Sequence, residues 1–197
     1  VAQGTPTTLL VGETTPVKEN RYLQVKGRPE IFVVSSRLFD DANQAVEQFR
    51  DPFLIRLDPW QADRITLISS ARSLTVARQE NAWHVTTTGL TGPQLDQVLP
   101  PLTDLADRGE VNAWMRTIEG VTIKRFLDDA PQVEQLAAYG FDHPKAELTI
   151  LQKDQPPVTL FFGHPLATDG SLLYAKRSDE PSLYAVAAAE VEGLLRD

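Results

Sequence analysis

The chain has 197 residues, of which 42% are hydrophobic and 23% charged; that is ordinary globular usage for one large domain or two small ones. With 19 Lys and Arg against 27 Asp and Glu, the net charge is −8, and the only basic clusters are short pairs such as Lys124-Arg125 and Lys176-Arg177. This argues against nucleic acid as a partner, because its recognition begins with a basic patch.

The absence of cysteine excludes disulfides, zinc-thiolate sites and thiol nucleophiles. No apolar run approaches the roughly 18 residues of a spanning helix. The first residue is Val, not Met, so the sequence reads as a cut or mature fragment, and any upstream anchor would lie outside it.

Short alternating runs come first: 7–11, 21–26 and 30–34 are expected as strands, separated by Gly, Pro and Asn. The period then changes. Leu38, Phe39, Ala42, Ala45, Val46 and Phe49 fall on one helical stripe, with Asp40 and Asp41 placed in its first turn and Asp51-Pro52 ending it. Strands follow at 64–69, 73–79 and 82–88.

A helix is expected to open at Thr91, with Gln94 as a weak capping box and Leu95, Val98, Leu99, Leu102 and Leu105 as its stripe. Pro100-Pro101 would kink or break it. The stretch around Trp114 reads as less regular. The next helix is expected from about Asp129, with Pro131 in its first turn, to Tyr139-Gly140-Phe141, where Gly140 supplies the left-handed position and Phe141 folds back. Strands at 146–151, 158–162, 172–176 and 182–186 and a helix over 188–196 complete the chain.

Two distant stretches then prove alike. TPTTLLVGET, from Thr5 to Thr14, resembles PPVTLFFGHP, from Pro156 to Pro165. Thr8-Leu9 matches Thr159-Leu160, and Gly12 matches Gly163, a shift of 151. Tyr22 matches Tyr174, Pro29 matches Pro181 and Val34 matches Val186, a shift of 152. This is one duplicated strand-strand-strand-helix module, not a solenoid of short repeats. In the second copy a partner strand at 146–151 precedes it, joined through Lys153-Asp154-Gln155-Pro156. In the first copy the turn equivalent is Ala2-Gln3-Gly4-Thr5, preceded only by Val1. The expectation is that its opening strand is missing and that its edge needs another cover.

Residues Ala138 to Pro144, AYGFDHP, followed by a hairpin, TLFFG, a Tyr-bearing strand and SLYAV, resemble the bacterial domain-of-unknown-function family 4340. There a "yGLd-x-P" helix end leads into "vtl…llG" and "y.v…p.vy.v"; His143 stands where the family often has proline. Asp58 to Ile65 and the Trp83 strand fit the preceding half. The resemblance implies an α+β fold of antiparallel hairpin sheets packed by amphipathic helices. It divides the chain into the back half of one unit, 1–51, and a complete unit, 52–197, made of 52–118 and 119–197. It also implies a bacterial, often membrane-tethered setting beside transporters of the gliding-motility ABC type, and it supplies no catalytic residue.

Chemistry is sparse. His84, His143 and His164 lack metal-ligand spacing; His84 is expected on the strand face away from Trp83 and Val85, the other two in turns. The adjacent pairs Asp40-Asp41 and Asp128-Asp129 do not share a helical face. There is no nucleophile elbow, P-loop or dinucleotide fingerprint. No catalytic, cofactor-binding or metal-binding residue is singled out, no cofactor is expected, and the chain is not expected to be an enzyme.

Three functions stay open. The first is a non-catalytic interaction module of an extracytoplasmic, membrane-associated assembly with a protein partner, including pairing between chains through 7–11. The second is a small-ligand or carbohydrate module using Trp and Tyr in a cleft between the units, for which Trp60, Trp83 and Trp114 are the test. The third is a hydrolase with dispersed carboxylates in opposed environments.

Overall fold

The structure is a computed structural model and describes residues 6–70, 72–88 and 102–195. The chain divides into two compact units, Val1–Arg50 and Asp51–Asp197. Both are α+β with antiparallel sheets, as the sequence implies.

In the first unit β1 (Leu9–Thr14), β2 (Asn20–Val25) and β3 (Ile31–Ser35) form a three-stranded antiparallel meander. Helix α1 (Ser36–Ala42) follows directly, its Arg37 N–H bonded to the Ser35 hydroxyl. The expected helix to Phe49 is shorter than its apolar stripe suggests. It stops at Asn43, and a separate 3-10 turn covers Val46–Phe49. Asp40 and Asp41 therefore lie in the last turn of α1, not the first, and Leu38, Val46 and Phe49 are exposed. Without a surface to bury it, an apolar stripe does not hold a long helix together.

The second unit contains β4 (Ala62–Ser69), β5 (Ser73–Gln79), β6 (Ala82–Thr88), β7 (Leu102–Leu105), α2 (Arg108–Glu119), β8 (Ile123–Asp128), α3 (Val133–Leu136), β9 (Ala146–Gln152), β10 (Val158–Leu166), β11 (Asp169–Arg177), β12 (Leu183–Ala187) and α4 (Ala188–Leu195). Among the described residues its nine strands form one antiparallel sheet in the order β7-β6-β5-β4-β9-β10-β11-β12-β8. Alternation along β4, β9 and β10 places Ile65, Leu67, Leu148, Ile150, Leu160 and Phe162 in one core with Met115 and Ile118 of α2 and Val191 and Leu194 of α4. Each such side chain contributes about 1.5–3 kcal/mol on leaving water.

Three expectations change here. The stretch around Trp114 is the regular helix α2: Asp107 caps it by accepting from Gly109 and Glu110 N–H, and Val111, Met115 and Ile118 face the core. Leu102 and Leu105 belong to a strand, because they pair with Thr87 and His84 of β6; the rest of the helix expected from Thr91, including its capping box and Pro100-Pro101, lies outside the described residues. The helix expected from Asp129 starts at Val133, and 123–128 is a strand pairing with β12. The helix stops at Leu136 and a turn carries the chain to Gly140, which takes the expected left-handed position with φ +85; the N–H groups of Gly140 and Phe141 return to the carbonyls of Ala137 and Leu136.

Candidate interaction surface

The duplicated stretches fold alike pair by pair. In the first unit Leu9 faces Val25, Leu10 faces Gln24 and Val11 faces Leu23; an irregularity follows, then Thr14 faces Arg21. In the second, Leu160 faces Arg177, Phe161 faces Lys176 and Phe162 faces Ala175; an irregularity follows, then Pro165 faces Leu173. The next ladder corresponds throughout, from Asn20 with Ser35 to Gln24 with Ile31, and from Leu172 with Ala187 to Lys176 with Leu183. Even the closing bond recurs: Lys26 N–H donates to Thr8 O and Ser178 N–H to Thr159 O, each at 2.9 Å.

Their environments differ. Leu160 is 0% exposed while Leu9 is 49% exposed; Tyr184 is 4% and Phe32 46%; Leu183 is 3% and Ile31 67%. In the second unit β9 lies along β10, pairing Leu148 with Leu160 and Ala146 with Phe162, and β8 lies along β12. Among the described residues of the first unit, no strand pairs with the outer edge of β1 or of β3. Leu10, Tyr22, Ile31 and Val33 lie open on one face and Leu9, Val11 and Phe32 on the other. Leu10, Val11, Gly12, Tyr22, Leu23, Gln24 and Ile31 line a shallow trough of about 230 Å³.

The glycines show what is missing. A Cβ on Gly163 would stand 2.1 Å from the Tyr139 carbonyl oxygen, which accepts the His164 N–H at 2.8 Å. A Cβ on Gly140 would meet the His164 ring at 2.5 Å. Both glycines belong to one tight junction between the α3 helix end and β10, closed by Tyr139 against Tyr174 with ring centroids 4.5 Å apart. At Gly12 a Cβ would meet only its own cross-strand neighbour, Tyr22, at 3.4 Å.

A polar latch also separates the copies. Arg177 holds Asp179 at 2.7 Å and Glu180 at 3.1 Å and donates to Leu54 O, and Tyr184 donates its hydroxyl to Glu180. The Arg177 hydrogen bond keeps the Asp179 carboxyl below its ordinary value, and burial pushes the Tyr184 phenol up. At the matching positions the first unit has Val25, Gly27, Arg28 and Phe32.

The chain matches the family described as Domain of unknown function (DUF4340) twice, over residues 1–105 and over 98–197. It belongs to this family. The border between the two matched segments crosses a single sheet, since β4 pairs with β9 along seven positions from Ala62 with Gln152 to Ser69 with Ala146. The two stretches that carry the family resemblance, the turn at Tyr139-Gly140 and the part of β10 that contains Gly163, are the two sides of the glycine junction. No curated protein and no solved structure matches the chain.

Other candidate residues sort as follows. Trp83 is buried, Trp114 half-buried, and Trp60 is 74% exposed. Trp60, Arg78, Trp83, Arg108, Asn112 and Arg116 line a cleft of about 290 Å³ within the second unit. Arg108 stacks over Trp60 and Arg78 over Trp83, at 5.6 and 4.8 Å, and Arg78 donates to the carbonyls of Pro59 and Trp60. No tyrosine lines this cleft.

His84 is half-buried and alternates with the inward Trp83 and Val85, and His143 is exposed in a turn. His164 lies in β10, not in a turn, because the strand runs through its bulge to Leu166; Gly163 sits in that bulge and does not close the hairpin. No group of three potential metal ligands occurs among the described residues. Asp41 pairs with Arg37 at 3.6 Å, and Asp128 accepts the Ala130 N–H. The carboxyls of Asp51, Asp169 and Asp179 are held below their ordinary range, chiefly by hydrogen bonds from Arg56, Ser171 and Arg177. A general acid needs the reverse. Among the described residues, no helix is long and apolar enough to cross a membrane.

Proposed function

We propose that the protein is a non-catalytic interaction module in which residues 1–50 form the docking element for a protein partner in a membrane assembly. One observation supports this above the others: the same module, paired residue for residue, is buried in the second unit and bare in the first. Open strand edges and contiguous apolar faces are features that proteins cover, by pairing or by a partner. The setting is extracytoplasmic and transporter-linked, following the family resemblance. The partner is not nucleic acid, in keeping with the net charge of −8.

The test is capture from the native membrane fraction with the 197-residue chain and with a Phe32→Asp, Val33→Asp variant. A membrane protein retained by the first and lost by the second is expected. Equal retention by both, or retention of nothing specific, defeats the proposal.

A second reading has its own observation, the exposed Trp60 in a cleft lined by three arginines. Such a site suits a small anion with a flat face, such as a uronic acid. Titration with glucuronate should quench tryptophan fluorescence saturably in the wild type and not in Trp60→Ala; no saturable response in the wild type rejects it.

A further inference from the structure

We infer that β1 is built to receive a partner segment consisting of a glycine-ended helix turn followed by an antiparallel strand with apolar residues at alternate positions. This rests on the docking reading above and names its occupant.

The second unit shows such a segment in place. Residues 136–152 run from the last turn before Gly140, through Pro144, into β9. The Tyr139 carbonyl sits over Gly163 and accepts the next N–H along β10, that of His164. The Lys145 N–H donates to Phe162 O at 2.7 Å, and β9 then pairs Ala146 with Phe162, Leu148 with Leu160 and Ile150 with Val158. Moved by the shift of 151, the same contacts fall on Thr7, Leu9, Val11, Gly12 and Glu13.

Those positions are prepared for it. Leu9 and Val11 are exposed, yet their counterparts Leu160 and Phe162 are fully buried by the segment and the core beneath it. The strand partner β2 holds β1 in the register that β11 imposes on β10, with the irregularity after Val11 where β10 has one after Phe162. Gly12 is the decisive residue. In the twin, glycine is required because a carbonyl stands where a side chain would begin. Among the described residues of the first unit no carbonyl comes that close, a Cβ there would meet only Tyr22 at 3.4 Å, and Gly12 has no positive φ to explain it. The position is open to a carbonyl that none of the described residues of this unit brings to it. The strand adds main-chain hydrogen bonds, and its alternate apolar residues add burial on one face, the usual logic of β-augmentation.

The probe is a synthetic peptide with the sequence of residues 133–154, added to the whole chain, with amide hydrogen exchange as the readout. At a peptide concentration about 100 times its Kd, amides within 9–13 should exchange up to roughly a hundredfold more slowly. A peptide carrying Leu148→Asp and Ile150→Asp should give no protection. Gly12→Ala should leave the exchange and unfolding of the free chain unchanged and abolish protection by the peptide; a Gly12→Ala chain that still accepts the peptide overturns the inference. So does absence of protection in the wild type, or a dimer through β1, seen by sedimentation, that the peptide does not dissolve. If the peptide fails while the Phe32 surface still captures a membrane protein, this inference falls and the docking reading survives. If the peptide binds as expected but nothing is captured, the reverse holds.

Discussion

Residues 9–42 and 160–195 make the same ladders and end in the same kind of helix, yet one copy is a core and the other a surface. Local pairing is therefore not what makes the second copy stable. A three-stranded sheet with a helix is about the smallest sheet that stands by itself. The second copy adds β9 and β8 on its two edges, α2 beneath one face and the α3 end against the other. Where those neighbours exist, apolar side chains leave water; where they do not, the same positions stay exposed.

The largest contrast should come from matched truncations. Phe162→Ala removes a fully buried ring and should cost about 3–5 kcal/mol, whereas Val11→Ala at the matching exposed position should stay within about 0.5 kcal/mol. Urea unfolding followed by tryptophan fluorescence reads the second unit, because Trp60, Trp83 and Trp114 all lie in it, and amide exchange within 9–14 reads the first. A Phe162→Ala cost as small as that of Val11→Ala would break the comparison.

The glycines should differ next. Gly163→Ala drives a methyl into the Tyr139 carbonyl and should cost at least about 1–3 kcal/mol; Gly12→Ala meets only Tyr22 and should be near neutral in the free chain. Unfolding curves of the two variants, with the first unit followed by exchange of its amides, sharpen the point. Equal effects would mean that the Tyr139 contact does not constrain the strand.

The smallest effect concerns pH. Asp179 has a folded pKa below its ordinary 3.8, because Arg177 hydrogen-bonds its charged form. The unfolded chain thus binds the proton more readily, so this stabilisation is present above 3.8 and is lost as the pH falls through the lowered folded value. Half-exposure keeps the effect modest. Asp179→Asn should lower stability slightly near neutral pH and flatten the acid limb of stability against pH. The first unit has glycine at this position and no such latch. An unchanged acid limb in the variant would assign that slope to other carboxyls.

Much of this was legible in the sequence. Alternation located the strands because the side-chain period of a strand is fixed. Gly140 marked its helix end because a left-handed residue there is almost free for glycine alone. The repeat showed in Thr8-Leu9 and Gly12 against Thr159-Leu160 and Gly163. Three features escaped. Helix α2 carries an Asp107 cap and a Val111, Met115, Ile118 stripe, but its Gly109 and the Trp114 at its centre blur the helical signal. The 102–105 strand was hidden because leucines spaced for a helix also suit a strand once a partner is beside them. The Arg177, Asp179, Glu180 and Tyr184 latch was not legible, since ion pairing depends on how a turn brings side chains together.

By itself the sequence determined the strands other than 102–105 and 123–128, the duplication and the family, which follow from local periodicity and from residues whose backbone preferences are their own. Only the tertiary structure decided which copy is buried, that Gly163 answers a carbonyl while Gly12 meets only its cross-strand neighbour Tyr22, and where the open edge lies. Burial is a property of neighbours distant in sequence, and two stretches that make the same ladders can differ in it entirely.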